Sequence, residues 1–173
     1  MKLRDMVLTS LLMAIGLVLH QVTPPIVAGM RPNFLLVMLF VSLFINPTPR
    51  NALLAGMLGG IFAALTTSFP GGQIANIVDE LITSQVMAAL IRKGKNVNQK
   101  IMVPLVGFIG TIMSGTNFLL VAMLVTGALP AAFPVLFTTI VVPTAAINTV
   151  ATSVLYGIIS ATSSVQRQKD VNQ

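Results

Sequence analysis

Long apolar runs broken by short polar links make up most of the chain, and the links rather than the runs carry its charge. Six runs read as membrane-crossing helices: residues 6–21, 33–45, 51–66, 75–91, 101–126 and 133–160. A helix needs about 20 mainly apolar residues to cross the hydrocarbon, fewer where its ends are sheltered by neighbours. By that measure the second run is short and the fourth unusually polar. Proline and glycine punctuate the links at Pro24-Pro25, Asn46-Pro47-Thr48-Pro49, Phe69-Pro70-Gly71-Gly72 and Gly127-Ala128-Leu129-Pro130. Proline removes a helical donor and glycine permits a turn, so these are the stops. The links are short, which predicts one transmembrane domain over residues 1–173. The fold class expected is all-α integral membrane, with six transmembrane helices.

Charge orients the spans. Lys2 and Arg4 precede span one, and Arg50 lies between spans two and three. Arg92, Lys93, Lys95 and Lys100 lie between spans four and five, and Arg167 and Lys169 follow span six. In a six-span arrangement these nine of the ten basic residues fall on one side, which the bias of Lys and Arg toward cytoplasmic loops makes the cytoplasm. Both termini are therefore expected there, and Arg31 alone falls on the outer side. The opening Met-Lys-Leu-Arg with its apolar run has the outline of a secretory signal, but no small-residue cleavage site is clear and further runs follow, so it reads as the first span.

Composition narrows the chemistry. Of 173 residues, 55% are hydrophobic and 8% charged, against about 25% charged in ordinary soluble domains. There is no cysteine and no tryptophan, so neither a disulfide framework nor a thiolate metal site can form. One histidine, His20, and four carboxylates, Asp5, Asp79, Glu80 and Asp170, do not supply a metal cluster or a nucleophile with its base. No enzyme, cofactor or metal is expected. The net charge of +6 and pI near 10.6 come from basic residues at span ends, not from an aromatic-interleaved patch, so nucleic acid is not an expected partner.

Small residues repeat at four-residue spacing in span three, as Ala52, Gly56, Gly60 and Ala64, with Ala55, Gly59 and Ala63 beside them. Span six carries Ala145, Thr149, Ser153, Gly157 and Ala161 in the same register, and span one carries Ser10 and Ala14. Such stripes let helix backbones approach closely, either inside the bundle or against another membrane protein.

Polar groups gather on the outer side, where they are costly and usually serve a cavity, a ligand or a partner. On a helix, Gln73, Asn76, Glu80 and Thr83 share one face, with Asp79 at its edge. Thr116 and Asn117 interrupt span five, Thr144, Asn148 and Thr152 line a stripe of span six, and Arg31 and Asn33 precede span two. A plain reading makes the acids first-turn residues favoured by the helix dipole and Arg31 an interfacial snorkelling residue. A functional reading is a pocket open to the outside that holds a zwitterion, with Arg31 for a carboxylate and Asp79 or Glu80 for an ammonium. Phe34, Phe69 and Phe118 can supply apolar walls, and His20 stands at the outer end of span one.

The run from Leu65 through Thr66-Thr67-Ser68-Phe69-Pro70-Gly71-Gly72-Gln73 to Asp79, with His20 ahead of Pro24-Pro25 and Gly29-Met30-Arg31-Pro32, resembles the bacterial tryptophan-transporter family. So does Val142-Pro143-Thr144-Ala145-Ala146-Ile147-Asn148-Thr149 in span six. That family is similar to the substrate-binding (S) components of energy-coupling factor importers. The resemblance implies an S-component-like bundle in the bacterial plasma membrane that binds tryptophan, or another zwitterionic small molecule, from outside. It implies partners in the bilayer and beyond: a transmembrane coupling subunit and two cytoplasmic ATPases. The implied substrate-binding set is Arg31, Asn33, Phe69, Gln73, Asn76, Asp79, Glu80, Asn117 and Asn148. Glu80 stands where the resemblance leads one to expect lysine, which favours Asp79. Ser10 and Ala14 occupy the place of the small-residue motif that docks the coupling subunit. No Gly-rich loop ending in Gly-Lys-Ser/Thr occurs in the chain, so ATP energy would come from a partner. The same architecture with a different ligand, an aromatic amino acid or a vitamin, and a structural subunit without a ligand remain alternatives.

Overall fold

The computed structural model describes residues 3–24 and 32–171, with side chains through residue 162. Arg31 lies outside the described residues, as does Lys2. The side chains of Arg167 and Lys169 are likewise outside them.

Among the described residues six helices follow one another: α1 (Leu3–Val22), α2 (Phe34–Ile45), α3 (Pro49–Thr66), α4 (Gly72–Lys93), α5 (Gln99–Thr126) and α6. The last begins as Phe133–Leu136, passes through a π turn at Phe137–Val141 and continues as Val142–Val171. They correspond one to one with the six spans expected. α1, α4, α5 and the Phe133–Thr162 part of α6 are long and apolar enough to cross a membrane. α2, with 12 residues, and α3, with 18, fall short of that mark.

Local chemistry sets the ends. The Asn33 side chain accepts from Leu36 N at 3.1 Å and starts α2. Thr48 does the same for Asn51 N at 3.4 Å, with Pro49 in the first turn where its missing N–H costs nothing. α3 therefore begins two residues before the apolar pattern does. α4 likewise begins at Gly72 rather than residue 75, because Gly71 takes the left-handed conformation (φ 70°) that turns the chain into it. Gly127, at φ 76°, closes α5 by donating its N–H to Met123 O at 2.9 Å.

α2 is the centre of the bundle. Leu35 through Leu43 are all buried, and the helix packs against each of the other five. That explains why it is apolar on every side. The small-residue stripe of α3 faces inward, against α4. A Cβ on Gly56 would stand 2.4 Å from Ser84 Oγ and 2.8 Å from Glu80 O; one on Gly60 would stand 2.8 Å from Ile77 Cα. Close helix packing, rather than an outer docking face, is what this stripe provides. Along α6 the approach is close in the upper half, where a Cβ on Gly107 of α5 would come within 3.0 Å of Thr149 Cα, whereas a Cβ on Gly157 would meet nothing within 4 Å among the described residues. Ser10 and Ala14 are both exposed on α1.

Hydrogen bonds gather the basic links at one end. Arg92 Nη1 donates to Pro47 O at 2.6 Å, Gln85 Nε2 to Pro49 O at 3.2 Å, and Asn46 Nδ2 to Asp5 Oδ2 at 3.1 Å. Thr9 Oγ1 donates to Asn51 Oδ1 at 2.6 Å, and the Tyr156 hydroxyl donates to Gln99 Oε1. The start of α1, the α2–α3 and α4–α5 links and the lower part of α6 thus share one end, as the alternation of Lys and Arg requires.

Candidate functional site

At the opposite end the helices splay around a cavity of about 510 Å³ to which all six contribute. Its buried acid is held between α4 and α5. Asp79 is 2% exposed, and each of its carboxyl oxygens takes one hydroxyl: Thr83 Oγ1 donates to Oδ1 at 2.8 Å and Ser114 Oγ to Oδ2 at 2.5 Å. An ionised carboxylate has roughly four lone-pair sites, so both oxygens keep capacity for a ligand donor. Asn76 lines the cavity one turn earlier on α4. Among the described residues, no basic side chain other than His20 lines it.

The apolar wall combines aromatic and aliphatic side chains of one packed cluster. Phe69 and Phe118 meet edge to face, with centroids 5.1 Å apart, and both line the space. Phe69 is placed by the tight α3–α4 link, where its N–H donates to Thr67 Oγ1 at 3.2 Å and a Cβ on Gly72 would crowd Thr67 Oγ1 to 2.6 Å. The π turn of α6 brings Ile140 and Val141 to the same cluster and to the cavity. Single π turns insert a residue and re-aim the helix face, and they recur at functional sites. Val141 reaches its place because α5 has Gly115 there: a Cβ would lie 2.5 Å from Val141 Cγ1.

The residues expected at a site separate into three groups. Asn33, Phe69, Asn76 and Asp79 come together around the cavity. Asn148 stands behind it as a brace, fully buried, accepting from Asn33 N at 3.1 Å and donating to Thr111 Oγ1 at 3.3 Å. It ties α6 to the start of α2 and to α5. Asn117 is near the Asp79 carboxyl, with its Nδ2 buried and unpartnered among the described residues. Gln73 and Glu80 are elsewhere. Gln73 is exposed on the first turn of α4. Glu80, 1% exposed, turns from the cavity toward α3, where its Oε2 would be 3.5 Å from a Cβ on Gly59, beside Met13 and Leu39. The expected face of Gln73, Asn76, Glu80 and Thr83 with Asp79 at its edge is therefore corrected: Asn76 and Asp79 share the cavity face, with Thr83 bonded to Asp79, because α4 is gripped by α3 on one side and α5 on the other. His20 does line the cavity, and its Nδ1 lies 3.2 Å from Pro32 O. Ser114 was not singled out by sequence reasoning; its only signal is that Ser114-Gly115-Thr116-Asn117 breaks the apolar run of α5.

A family model described as "Tryptophan transporter TrpP" matches residues 2–164. The chain belongs to this family. Three relatives carry the description "Probable tryptophan transport protein". The one from Clostridium acetobutylicum is 39% identical over 157 residues, covering 90% of this chain and 91% of its own. That from Clostridium perfringens is 41% identical over 166 residues, covering 88% of each. That from Bacillus subtilis is 37% identical over 159 residues, covering 92% of each. No solved structure matches the chain. The family is one of transport proteins and not of enzymes. With its membrane-length helices the chain is a multi-pass membrane protein.

Proposed function

We propose that the chain binds tryptophan in the Asp79 cavity and delivers it inward as the S component of an energy-coupling factor importer in a bacterial plasma membrane. The observation that carries this reading is a buried carboxyl, preset by two hydroxyls, in a cavity with an edge-to-face aromatic pair. Asp79 takes the ammonium and the Phe69 and Phe118 side the indole; Arg31, outside the described residues, is the sequence's cation for the carboxylate. The three relatives' descriptions support tryptophan as the cargo. Ser10 and Ala14, exposed on α1, take the coupling subunit, and two ATPases supply the energy.

Two measurements separate these parts. Titrating the purified protein with the twenty amino acids is expected to give saturable binding by tryptophan; absence of binding by all twenty would leave a ligand of another class, such as a vitamin, or a structural subunit. Ala14→Leu is then expected to bind tryptophan as the native chain does but to lose most uptake in cells with the full transporter, since a leucine holds two backbones apart. Normal uptake by that variant removes Ala14 from the docking face.

The same reading puts the basic end in the cytoplasm and the cavity outside. Single cysteines at residues 94–98 are expected to resist an impermeant thiol reagent in intact cells and to react after permeabilisation. Labelling in intact cells would invert the orientation.

A further inference from the structure

The basic end has a cleft of its own. A cavity of about 440 Å³ opens between the α2–α3 and α4–α5 links, far along the bundle from Asp79. Its floor is apolar: Phe44, Ile91 and Met102 belong to the main core of the bundle. Its rim carries Arg92 and Lys95, both exposed, and among the described residues no acid lines it. The described acid at this end, Asp5, is already engaged by the Asn46 amide. The Arg92 guanidinium spends Nη1 on Pro47 O, which fixes it over the rim and leaves its other donors available.

Two simpler accounts cover part of this. Arg92 and Lys93 in the last turn of α4 are favoured by the helix dipole, and all Lys and Arg of the links serve topology. Neither explains why Arg92 and Lys95 border a cavity whose floor is hydrocarbon. A partner that is anionic at one end and apolar at the other satisfies both surfaces, and at the end of a membrane bundle the surrounding leaflet supplies it. α5, which starts at this cleft, carries exposed Ile101, Leu105 and Phe108 at one-turn intervals, an apolar track for acyl chains.

We propose that this cleft is a binding site for the phosphate headgroup of an anionic glycerophospholipid from the adjacent leaflet. Arg92 and Lys95 take the phosphate, and the apolar floor takes the glycerol backbone and the first methylenes. Basic pockets between transmembrane helices are the recurrent form of such sites.

The test uses the full chain in neutral detergent, titrated with phosphatidylglycerol or phosphatidylcholine and read by native mass spectrometry. Phosphatidylglycerol is expected to bind saturably and more tightly than phosphatidylcholine. Lys95→Gln and Arg92→Gln are each expected to weaken it about fivefold, the equivalent of about 1 kcal/mol per basic group near a headgroup. Arg50→Gln, at the same end but outside the cleft, should leave it unchanged. If Arg92→Gln fails to fold for want of the Pro47 bond, the exposed Lys95 decides the matter. Equal affinity for the two lipids, or an equal loss from Arg50→Gln, would overturn the site. Displacement of the lipid by millimolar glycerol 3-phosphate would overturn the lipid as its source and leave a free phosphate ester instead.

Discussion

Asp79→Asn is expected to weaken tryptophan binding about ten- to a hundredfold, because a charge-assisted hydrogen bond contributes roughly 1.5 to 3 kcal/mol. The substitution keeps the shape of the side chain, and the Thr83 and Ser114 hydroxyls can rotate to suit an amide as they suit a carboxylate. The fold should therefore survive, and the loss should belong to the ligand's ammonium. Indole-3-propionate, which lacks that group, supplies the second arm of the cycle: it should bind the native protein much more weakly than tryptophan does, yet lose little further affinity in the variant. Glu80→Gln is expected to do less, since Glu80 faces Gly59 and the core rather than the cavity. Equal tryptophan affinity in native and Asp79→Asn proteins, measured by titration in detergent, would remove Asp79 from the site.

Gly60→Val should act through the scaffold. A Cβ at this position meets Ile77 Cα at 2.8 Å and Asn76 O at 3.3 Å, both backbone atoms of α4 that cannot rotate aside. Either α4 moves away from α3 or the contact is strained, and overpacking of this kind costs about 1–3 kcal/mol. α4 carries Asn76 and Asp79, so tryptophan affinity should fall together with the melting temperature. Gly157→Val is the control, because a Cβ on Gly157 would meet nothing within 4 Å among the described residues and the site should tolerate the change. A Gly60→Val protein that unfolds at the native temperature would show that α3 and α4 are not in the contact described.

Much of the architecture could be read from the chain. The break at Asn46-Pro47 and the apolar run before it located α2 almost to the residue, Phe34–Ile45 against an expected 33–45. Starts set by caps were harder: Thr48 and Gly71 carry α3 and α4 beyond their apolar patterns, and a cap is made by one side chain or one φ angle rather than by periodicity. The π turn left no trace, since no residue type encodes it. Within the site, the acid on span four was legible as a costly group in an apolar run. Which of Asp79 and Glu80 met the cavity did not follow from the residue pattern, because that depends on where α3 and α5 press on α4; only the family resemblance favoured Asp79. Ser114 was out of reach for a related reason: it meets Asp79 from 35 residues away, and a lone serine in a helix is inconspicuous.

The central position of α2 also bears on biogenesis. Twelve residues span about 18 Å as a helix, well short of a hydrocarbon layer of about 30 Å. Such a segment cannot rest in lipid as an independent unit, because its ends would leave backbone groups unsatisfied there. It can settle only as the five helices around it close, so insertion of α2 belongs to the last stage of assembly rather than the first. Leu35 and Leu36 of that helix line the Asp79 cavity, and that cavity is therefore finished only in a chain whose assembly is complete.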